Sequence, residues 1–537
     1  MTGFLVVLLA AAAALAVARA TRLPSVPLLV LAGVAAHAIG VAPPGELLRD
    51  ALLLGLAFLV FVAGTELNPT RAGAQKKAAV VVGLVQFFAM GALGTTAGLV
   101  LGLGLAPAIY LGIAITASST LVVVNILRQR KQFFEPYGRL VLGVLLLQDI
   151  LIIIAIGGLA SVDDGAIGVA RGLGATLALI ALAAVLARWV APWIIGRLNL
   201  DEEGLLLAAL ATLFAFIALS HWLGLPLVVG ALLAGVSLSG FPVQGLVRGQ
   251  VSSLGDFFLA VFFVTLGALL ELPTLRELVT AALLILLVLT VTPPLVAWTA
   301  RRVGLSSRVA VESGLFLAQG SEFSLVVALL GWSQGQISDS VFNIVAIVTV
   351  VTMILTPFVA TDRNAWLLMR FRIGPRATPE LAERPRGHVL ILGCGRFGRV
   401  LADRLEARGE RTVVIDDDRA VVERLRGSGA EVLRGDGADY AVLRAAGARE
   451  AKAIVSNMRR IEDHERMLRF VWEARVPVFA PLFSPDDAER LAVLGAEPVI
   501  ESDVAAEQVL AWFDERFPPT GDAPAPSRPD RPSAAPA

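Results

Sequence analysis

Residues 1–362 contain about thirteen apolar stretches, each close to the ~20 residues that a helix needs to cross a hydrocarbon core. Inside a bilayer every backbone polar group must be satisfied internally, so such stretches have little choice but to be helices. They lie near 3–19, 25–42, 50–67, 78–102, 107–127, 137–160, 168–190, 203–222, 225–239, 254–271, 277–299, 309–331 and 340–361, the ninth being short and glycine-rich. No basic region precedes residues 3–18, and further spans follow at once. That run therefore reads as a first span and not as a secretory signal.

Loop charges give the orientation. Odd-numbered connections and their flanks hold fifteen basic residues: Arg19, Arg22, Arg71, Lys76, Lys77, Arg128, Arg130, Lys131, Arg139, Arg188, Arg197, Arg248, Arg301, Arg302 and Arg308. Even-numbered ones hold only Arg49, Arg171 and Arg276. The positive-inside bias predicts an outside N-terminus, a cytosolic C-terminal region and an odd number of spans.

Composition changes near residues 361–386. Charged residues are 17% of the whole chain, against about 25% in soluble domains, yet Arg, Asp and Glu become frequent from 363 onward. The expected organisation is a transmembrane domain at 1–362, a linker at 363–386, a nucleotide-binding domain at 387–515 and a disordered Pro/Ala-rich tail at 516–537. The formal net charge is zero, which argues against bulk nucleic-acid binding. One cysteine, Cys394, and four scattered histidines exclude a disulfide framework and a cysteine-based metal cluster.

Ionisable groups in hydrocarbon are costly and mark transport paths. Asp149 sits in the middle of the sixth stretch, preceded by Gln148 and flanked by apolar residues. A carboxylate there can hold a proton or a dehydrated monovalent cation in turn; the alternative is a helix-packing hydrogen bond. In the fifth stretch Thr116, Ser118, Ser119 and Thr120 cluster mid-helix, and hydroxyls there can break a helix. Gln319, Gly320, Ser321 and Glu322 interrupt the twelfth in the same way. Two interrupted helices in corresponding places predict an inverted repeat, spans four to six mirroring eleven to thirteen. Glu322 reads equally as a transport carboxylate or as a structural partner. Glu66 reads as a structural or gating ion-pair member, Asn125 as a satisfied helix-end group, and His37 and His221 as structural. No Lys or Arg lies deep in any span, which leans towards electroneutral exchange.

From Gly387 the period changes. Residues 388–418 read as strand, glycine turn, helix and strand. Gly393, Gly395 and Gly398 form GxGxxG after an apolar strand, and Asp416 ends the next strand at about the expected spacing of 20 residues. The glycines admit phosphate to a helix N-terminus, and Asp416 would bind ribose hydroxyls. Further strands near 430–436, 451–458, 476–484 and 496–502 continue a βαβ series with a parallel sheet. No substrate pocket or proton donor accompanies the nucleotide site, so the nucleotide reads as a regulator and the chain not as an enzyme.

The motifs FVAGTELNP, ITASSTLVV, LLLQDI, AQGSEFSLV, LGCGRFG with VIDDD, and RGDGAD occur in this order. The combination resembles the monovalent cation:proton antiporter-2 family, most closely the Kef type of potassium efflux protein, over nearly all of residues 1–515. The resemblance implies a thirteen-span α-helical antiporter fold, a core moving against a dimerisation domain, and an α/β Rossmann-type TrkA-N (RCK) domain that dimerises and binds AMP or NAD(H). Asp149 matches the family's ion-binding aspartate and Gln148 the glutamine before it. The candidate ion site is thus Asp149, Gln148, Ser118, Ser119, Thr120, Glu322 and Gln319. The candidate nucleotide site is Gly393, Gly395, Arg396, Phe397, Gly398, Asp416, Asp417 and Asp436. Ala438 stands where a threonine is common, and Arg459 and Arg460 lie where a glutathione-binding cluster could form. The expectation is potassium/proton antiport in the inner (plasma) membrane by a lipid-embedded homodimer. Sodium/proton antiport, a nucleotide-gated potassium conductance and a membrane-bound oxidoreductase are the rivals. No TVGYG-like filter is present for a potassium channel.

Overall fold

The computed structural model describes residues 2–21, 23–40, 45–66, 76–130, 132, 135–198, 201–240, 243–370, 385–427, 431–458, 460–482 and 484–517. The chain divides into two units, Met1–Gly374 and Pro375–Ala537.

The first unit is helical. Its first half contains α1 (Thr2–Thr21), α2 (Ser25–Ala38), α3 (Gly45–Glu66), α4 (Lys76–Val100), α5 (Leu105–Ala114), α6 (Thr120–Gln129) and α7 (Pro136–Leu159). Helix α8 (Gly165–Val185) continues through a π turn at Leu186–Val190 into α9 (Ala191–Leu198). Then come α10 (Glu202–Trp222), α11 (Leu227–Ser237), α12 (Val243–Leu269), α13 (Leu275–Arg302), α14 (Ser307–Leu317), α15 (Glu322–Ser333), α16 (Asp339–Val359) and α17 (Asp362–Arg370). Among the described residues seven helices are long and apolar enough to cross a membrane, or eight with the bent pair α14–α15 counted as one span. Every apolar stretch of the sequence coincides with a helix, several of them shorter than a full span, and the fifth and twelfth are each broken in two. The start of the stretch expected as linker is itself helical, as α17.

Local chemistry sets several starts. Asp201 caps α10 by accepting from the Gly204 N–H at 2.8 Å. Thr274 opens α13 with a reciprocal capping box: its N–H donates to Glu277 at 2.7 Å and its hydroxyl accepts from the Glu277 N–H, satisfying donors that a helix start leaves orphaned.

The helices fall into two packing groups. In one, α3 packs on α11 and α12, α2 on α12, and α10 on α11. Small residues permit the close crossings. A Cβ on Gly64 would fall 2.3 Å from the Leu232 carbonyl oxygen, and one on Gly235 would fall 2.1 Å from that of Phe61. In the other group, α4 packs on α5 and α7 while α13 packs on α14 and α16. Each half of that group is thus a long helix, a broken helix and a long helix, in the same order.

The second unit is a parallel six-stranded sheet of order β3-β2-β1-β4-β5-β6. Its strands are β1 (Val389–Leu392), β2 (Thr412–Asp416), β3 (Glu431–Arg434), β4 (Ala453–Ser456), β5 (Val478–Leu482) and β6 (Glu497–Ile500). The helices α18 (Arg396–Glu406), α19 (Arg419–Gly427), α20 (Tyr440–Ala445), α21 (Ile461–Val471), α22 (Pro485–Val493) and α23 (Glu501–Arg516) follow the strands in turn. Side chains on the two faces enter separate cores, Leu390, Val413 and Ile454 in one and Ile391, Val414 and Val432 in the other. That is the doubly wound order, whose ligands lie at the carboxyl ends of β1 and β4, where the strand order reverses. Helix α23 runs one residue into the stretch expected as tail, and 518–537 lie outside the described residues.

Candidate functional site

In the first unit the two broken helices meet at their breaks. Each restarts on a serine. Ser119 caps α6, its hydroxyl accepting from the Val122 N–H at 3.2 Å. Ser321 caps α15, accepting from the Phe323 N–H at 3.1 Å. A serine in extended backbone that captures the first turn's N–H groups ends one helix and begins the next. In order, Ser118, Ser119 and Thr120 correspond to Gly320, Ser321 and Glu322.

The unwound segments bind each other. The Ser119 N–H donates to the Gly320 carbonyl at 3.1 Å. The Ser118 hydroxyl donates to the Leu317 carbonyl at 2.7 Å. The Ser324 hydroxyl donates to the Ala114 carbonyl. Carbonyls left open at the ends of α5 and α14 are therefore satisfied by hydroxyls of the opposite break, as a buried helix end requires.

Helices α7 and α16 hold this crossing from two sides. Gln148 Oε1 accepts the Ser118 N–H at 3.1 Å. The Thr352 hydroxyl accepts the Gly320 N–H at 2.8 Å. Gln319 is held by Thr356, whose hydroxyl lies 2.9 Å from its Oε1. The Thr120 hydroxyl donates to Asp149 Oδ2 at 3.4 Å. Glu322, the first residue of α15, lies within electrostatic reach of Asp149. Gln148, Asp149, Ser118, Ser119, Gln319 and Glu322 are all buried, and Thr120 is half-buried.

Three polar atoms at this crossing make no hydrogen bond among the described residues: Asp149 Oδ1, Gln148 Nε2 and Glu322 Oε2. Buried polar atoms rarely stay orphaned without a reason. Two of the three are carboxylate oxygens, so the arrangement suits a proton or a small cation. Glu322 is also placed where the positive end of α15 favours an anion.

All seven candidate ion-site residues thus gather at one crossing. Other polar residues read from the sequence do not. Asn125 lies exposed in the middle of α6, not at a helix end as expected. His37 and His221 are exposed in the last turns of α2 and α10. The side chain of Glu66 lies outside the described residues. Sequence reasoning passed over Thr352, Thr356 and Ser324. Their signal was faint: threonines four apart on α16, a spacing that puts them on one face.

In the second unit Gly393 turns with φ +85°, a conformation that favours glycine. Gly395 is the N-cap of α18 and brings no side-chain cap, so the first N–H groups of the helix are open to a ligand. A Cβ on Gly398 would fall 2.5 Å from the Gly393 carbonyl oxygen. Asp416 Oδ2 accepts the Cys394 N–H at 2.7 Å, and Oδ1 accepts the Asp418 N–H at 2.8 Å. Each carboxylate oxygen keeps a lone pair for a ribose hydroxyl. A cleft of about 430 Å³ beside the turn is lined by Cys394, Gly395, Arg396, Arg399 and Arg424, among others. Open helix amides, nearby guanidinium groups and a ribose-side carboxylate fit a nucleotide.

Burial pushes the Asp416 carboxyl above its ordinary value, against the pull of the Asp418 and Cys394 amides. Burial, and then the Asp416 charge, push the Cys394 thiol up to about 11, so it is no nucleophile at neutral pH. Arg396, Phe397 and Asp417 are exposed around the turn, and Asp436 follows β3, its Oδ1 accepting the Ala438 N–H at 2.9 Å. Asn457, which the sequence reading passed over, lies against the turn: a Cβ on Gly393 would meet its carbonyl oxygen at 3.1 Å. Arg460 precedes α21, and Arg459 lies outside the described residues.

Residues 5–361 match the family model "Sodium/hydrogen exchanger, transmembrane", and 389–502 match "TrkA-N domain". Among solved structures, the chain is similar to the sodium proton antiporter MjNhaP1 from Methanocaldococcus jannaschii, at 17% identity over 69% of this chain and 97% of that one, with a TM-score of 0.48. It is also similar to the TrkA-N domain of the inner membrane protein ybaL from Escherichia coli, at 23% identity over 24% of this chain and 98% of that one, TM-score 0.23. A third likeness is to the GsuK channel bound to NAD, at 24% identity over 42% of this chain and 41% of that one, TM-score 0.22. The chain belongs to the sodium/hydrogen exchanger family, a multi-pass membrane transporter with a TrkA-N domain behind its transmembrane domain, in the arrangement of the Kef-type monovalent cation:proton antiporters.

Proposed function

We propose that this antiporter exchanges potassium for protons at the crossing of its broken helices, under the control of an adenine nucleotide on its TrkA-N domain. The observation that carries the reading is the set of orphaned buried atoms, Asp149 Oδ1, Gln148 Nε2 and Glu322 Oε2, around two unwound segments. Asp149 holds either a proton or the cation, so the two compete for one site and cannot leave together, which is the coupling that exchange needs. Ser118, Ser119, Thr120 and Gln319 shape the crossing and Glu322 adds negative charge. The positive-inside bias of the loops supports thirteen spans, an outside N-terminus and a cytosolic TrkA-N domain, in a plasma-membrane homodimer. AMP or NAD(H) would bind with its phosphates at Gly393, Gly395 and Gly398, along the first turn of Arg396 and Phe397. Its ribose would meet Asp416, and Asp417 and Asp436 would flank it.

Sodium is the second candidate ion, since the matching family model describes sodium/hydrogen exchange. Reconstitution into liposomes with a trapped pH dye separates the two. Potassium-driven proton flux exceeding sodium-driven flux, and changing with added AMP or NADH, is the expected result. Asp149→Asn should abolish flux with either ion. Full flux in that variant would sink the mechanism, and flux with sodium alone would reassign the ion.

A further inference from the structure

We infer that Thr352 is a positioning residue for transport, acting on Asp149 through the backbone of the two breaks. Its hydroxyl lies 2.7 Å from the Val348 carbonyl of its own helix and accepts the Gly320 N–H at 2.8 Å. A threonine in a helix commonly donates to the carbonyl four residues back. Here that bond points a lone pair out of the helix, at the second break.

Gly320 is then gripped on both sides. Its N–H goes to Thr352 and its carbonyl takes the Ser119 N–H at 3.1 Å, so its peptide planes have little freedom to rotate. The contact is also close in space, since a Cβ on Gly320 would fall 2.9 Å from the Thr349 Cα. Ser119 is the cap of α6, and the next residue, Thr120, donates to Asp149. A continuous path of fixed groups runs from α16 through Gly320 and Ser119 to the carboxylate. Gln148 does the matching work on the other side, accepting the Ser118 N–H at 3.1 Å from α7. One half of the repeat thus uses a glutamine and the other a threonine for the same task, and only the glutamine is followed by a carboxylate.

Thr352 acts through the Gly320 peptide and not on the carboxylate itself. Its loss would leave a buried N–H without an acceptor and let the second break turn away from the first. That weakens the assembled site without altering the group that carries the proton.

The inference rests on the reading of Asp149 as the transport carboxylate. It is tested on the full-length protein in liposomes, with potassium chloride and sodium chloride as probes. Thr352→Val, which keeps shape and removes the hydroxyl, should raise the apparent KM for the transported cation about tenfold. Its maximal rate should stay within about threefold of the parent. Thr352→Ser should restore the KM. A Val variant with the parental KM, or a Ser variant as impaired as Val, overturns the inference. Should the Val protein fail to fold, Thr352→Ala, which fits the space, carries the same comparison. Asp149→Asn, assayed alongside, tests the underlying reading alone: flux in that variant removes the transport site, whereas its loss beside an unchanged Thr352→Val removes only the positioning role.

Discussion

The side-chain oxygen of Gln148 accepts the backbone N–H of Ser118 at 3.1 Å across thirty positions of sequence. It ties the helix that carries Asp149 to the break that carries Thr120. Gln148→Leu keeps the volume and removes the acceptor, leaving a buried N–H at a cost of about 1–3 kcal/mol. Exchange in liposomes should fall about tenfold or more, whereas Gln148→Glu, which retains an acceptor oxygen, should keep a larger share. Equal activity of the Leu variant and the parent would show that the tie is dispensable.

Glu322 presents a second carboxylate to the crossing, at the positive end of α15. Glu322→Gln removes the charge but keeps the shape and a hydrogen-bonding oxygen. The expected variant still exchanges ions, with an apparent cation affinity lower by about tenfold, since it keeps the fold of the break but loses the charge that helps hold the cation. Flux measured against cation concentration separates this from the total loss expected of Asp149→Asn. Total loss in Glu322→Gln would make Glu322 a second obligatory proton carrier.

Much of this was legible in the chain because membrane and sheet constraints are local. Thirteen apolar stretches show in the sequence because hydrocarbon demands length. The breaks show because serine and glycine clusters in the middle of a span interrupt the helix that hydrocarbon otherwise imposes. GxGxxG with Asp416 shows because its parts lie within one βαβ unit. What the sequence does not display is who holds whom. Gln148 to Ser118, Thr352 to Gly320 and Ser324 to Ala114 are contacts between helices distant in sequence. A threonine in an apolar helix reads as self-satisfied through its own carbonyls, so nothing in the string separates Thr352 from Thr290, whose hydroxyl serves only the Leu286 carbonyl among the described residues.

Gly398 packs its bare Cα against the glycine turn. A methyl there would sit 2.5 Å from the Gly393 carbonyl oxygen, and backbone on one side and strand on the other leave it no easy retreat. Gly398→Ala should destabilise the TrkA-N domain by about 1–3 kcal/mol, as overpacking does, and displace the start of α18. Calorimetric titration of the detergent-solubilised protein with AMP and NADH should show loss of binding, while transport measured without nucleotide persists. Unchanged nucleotide affinity would mean that the turn is more pliable than its packing indicates.

With Asp416 as the ribose-side carboxylate, nucleotide binding should depend on pH. Burial holds its carboxyl above the ordinary 3.8, with the Asp418 and Cys394 amides pulling it back. A group raised in the folded state contributes stability that is complete below its unfolded value and is lost as pH rises through the folded one. In the nucleotide-free domain burial thus disfavours the ionised form of Asp416. Ribose hydroxyls donating to the ionised carboxylate reverse that preference, so binding draws the carboxyl back down from its raised value and releases a proton where the nucleotide-free group is still protonated. Affinity should be flat above that raised value and fall as the pH drops through it. Thermal shifts of the full-length protein with AMP or NADH, followed down to about pH 4, would trace the fall. In Asp416→Asn the shift should be weak and its pH profile level. A parent protein whose nucleotide-induced shift grows on acidification would place the ribose elsewhere, because a protonated Asp416 cannot be a better acceptor than an ionised one.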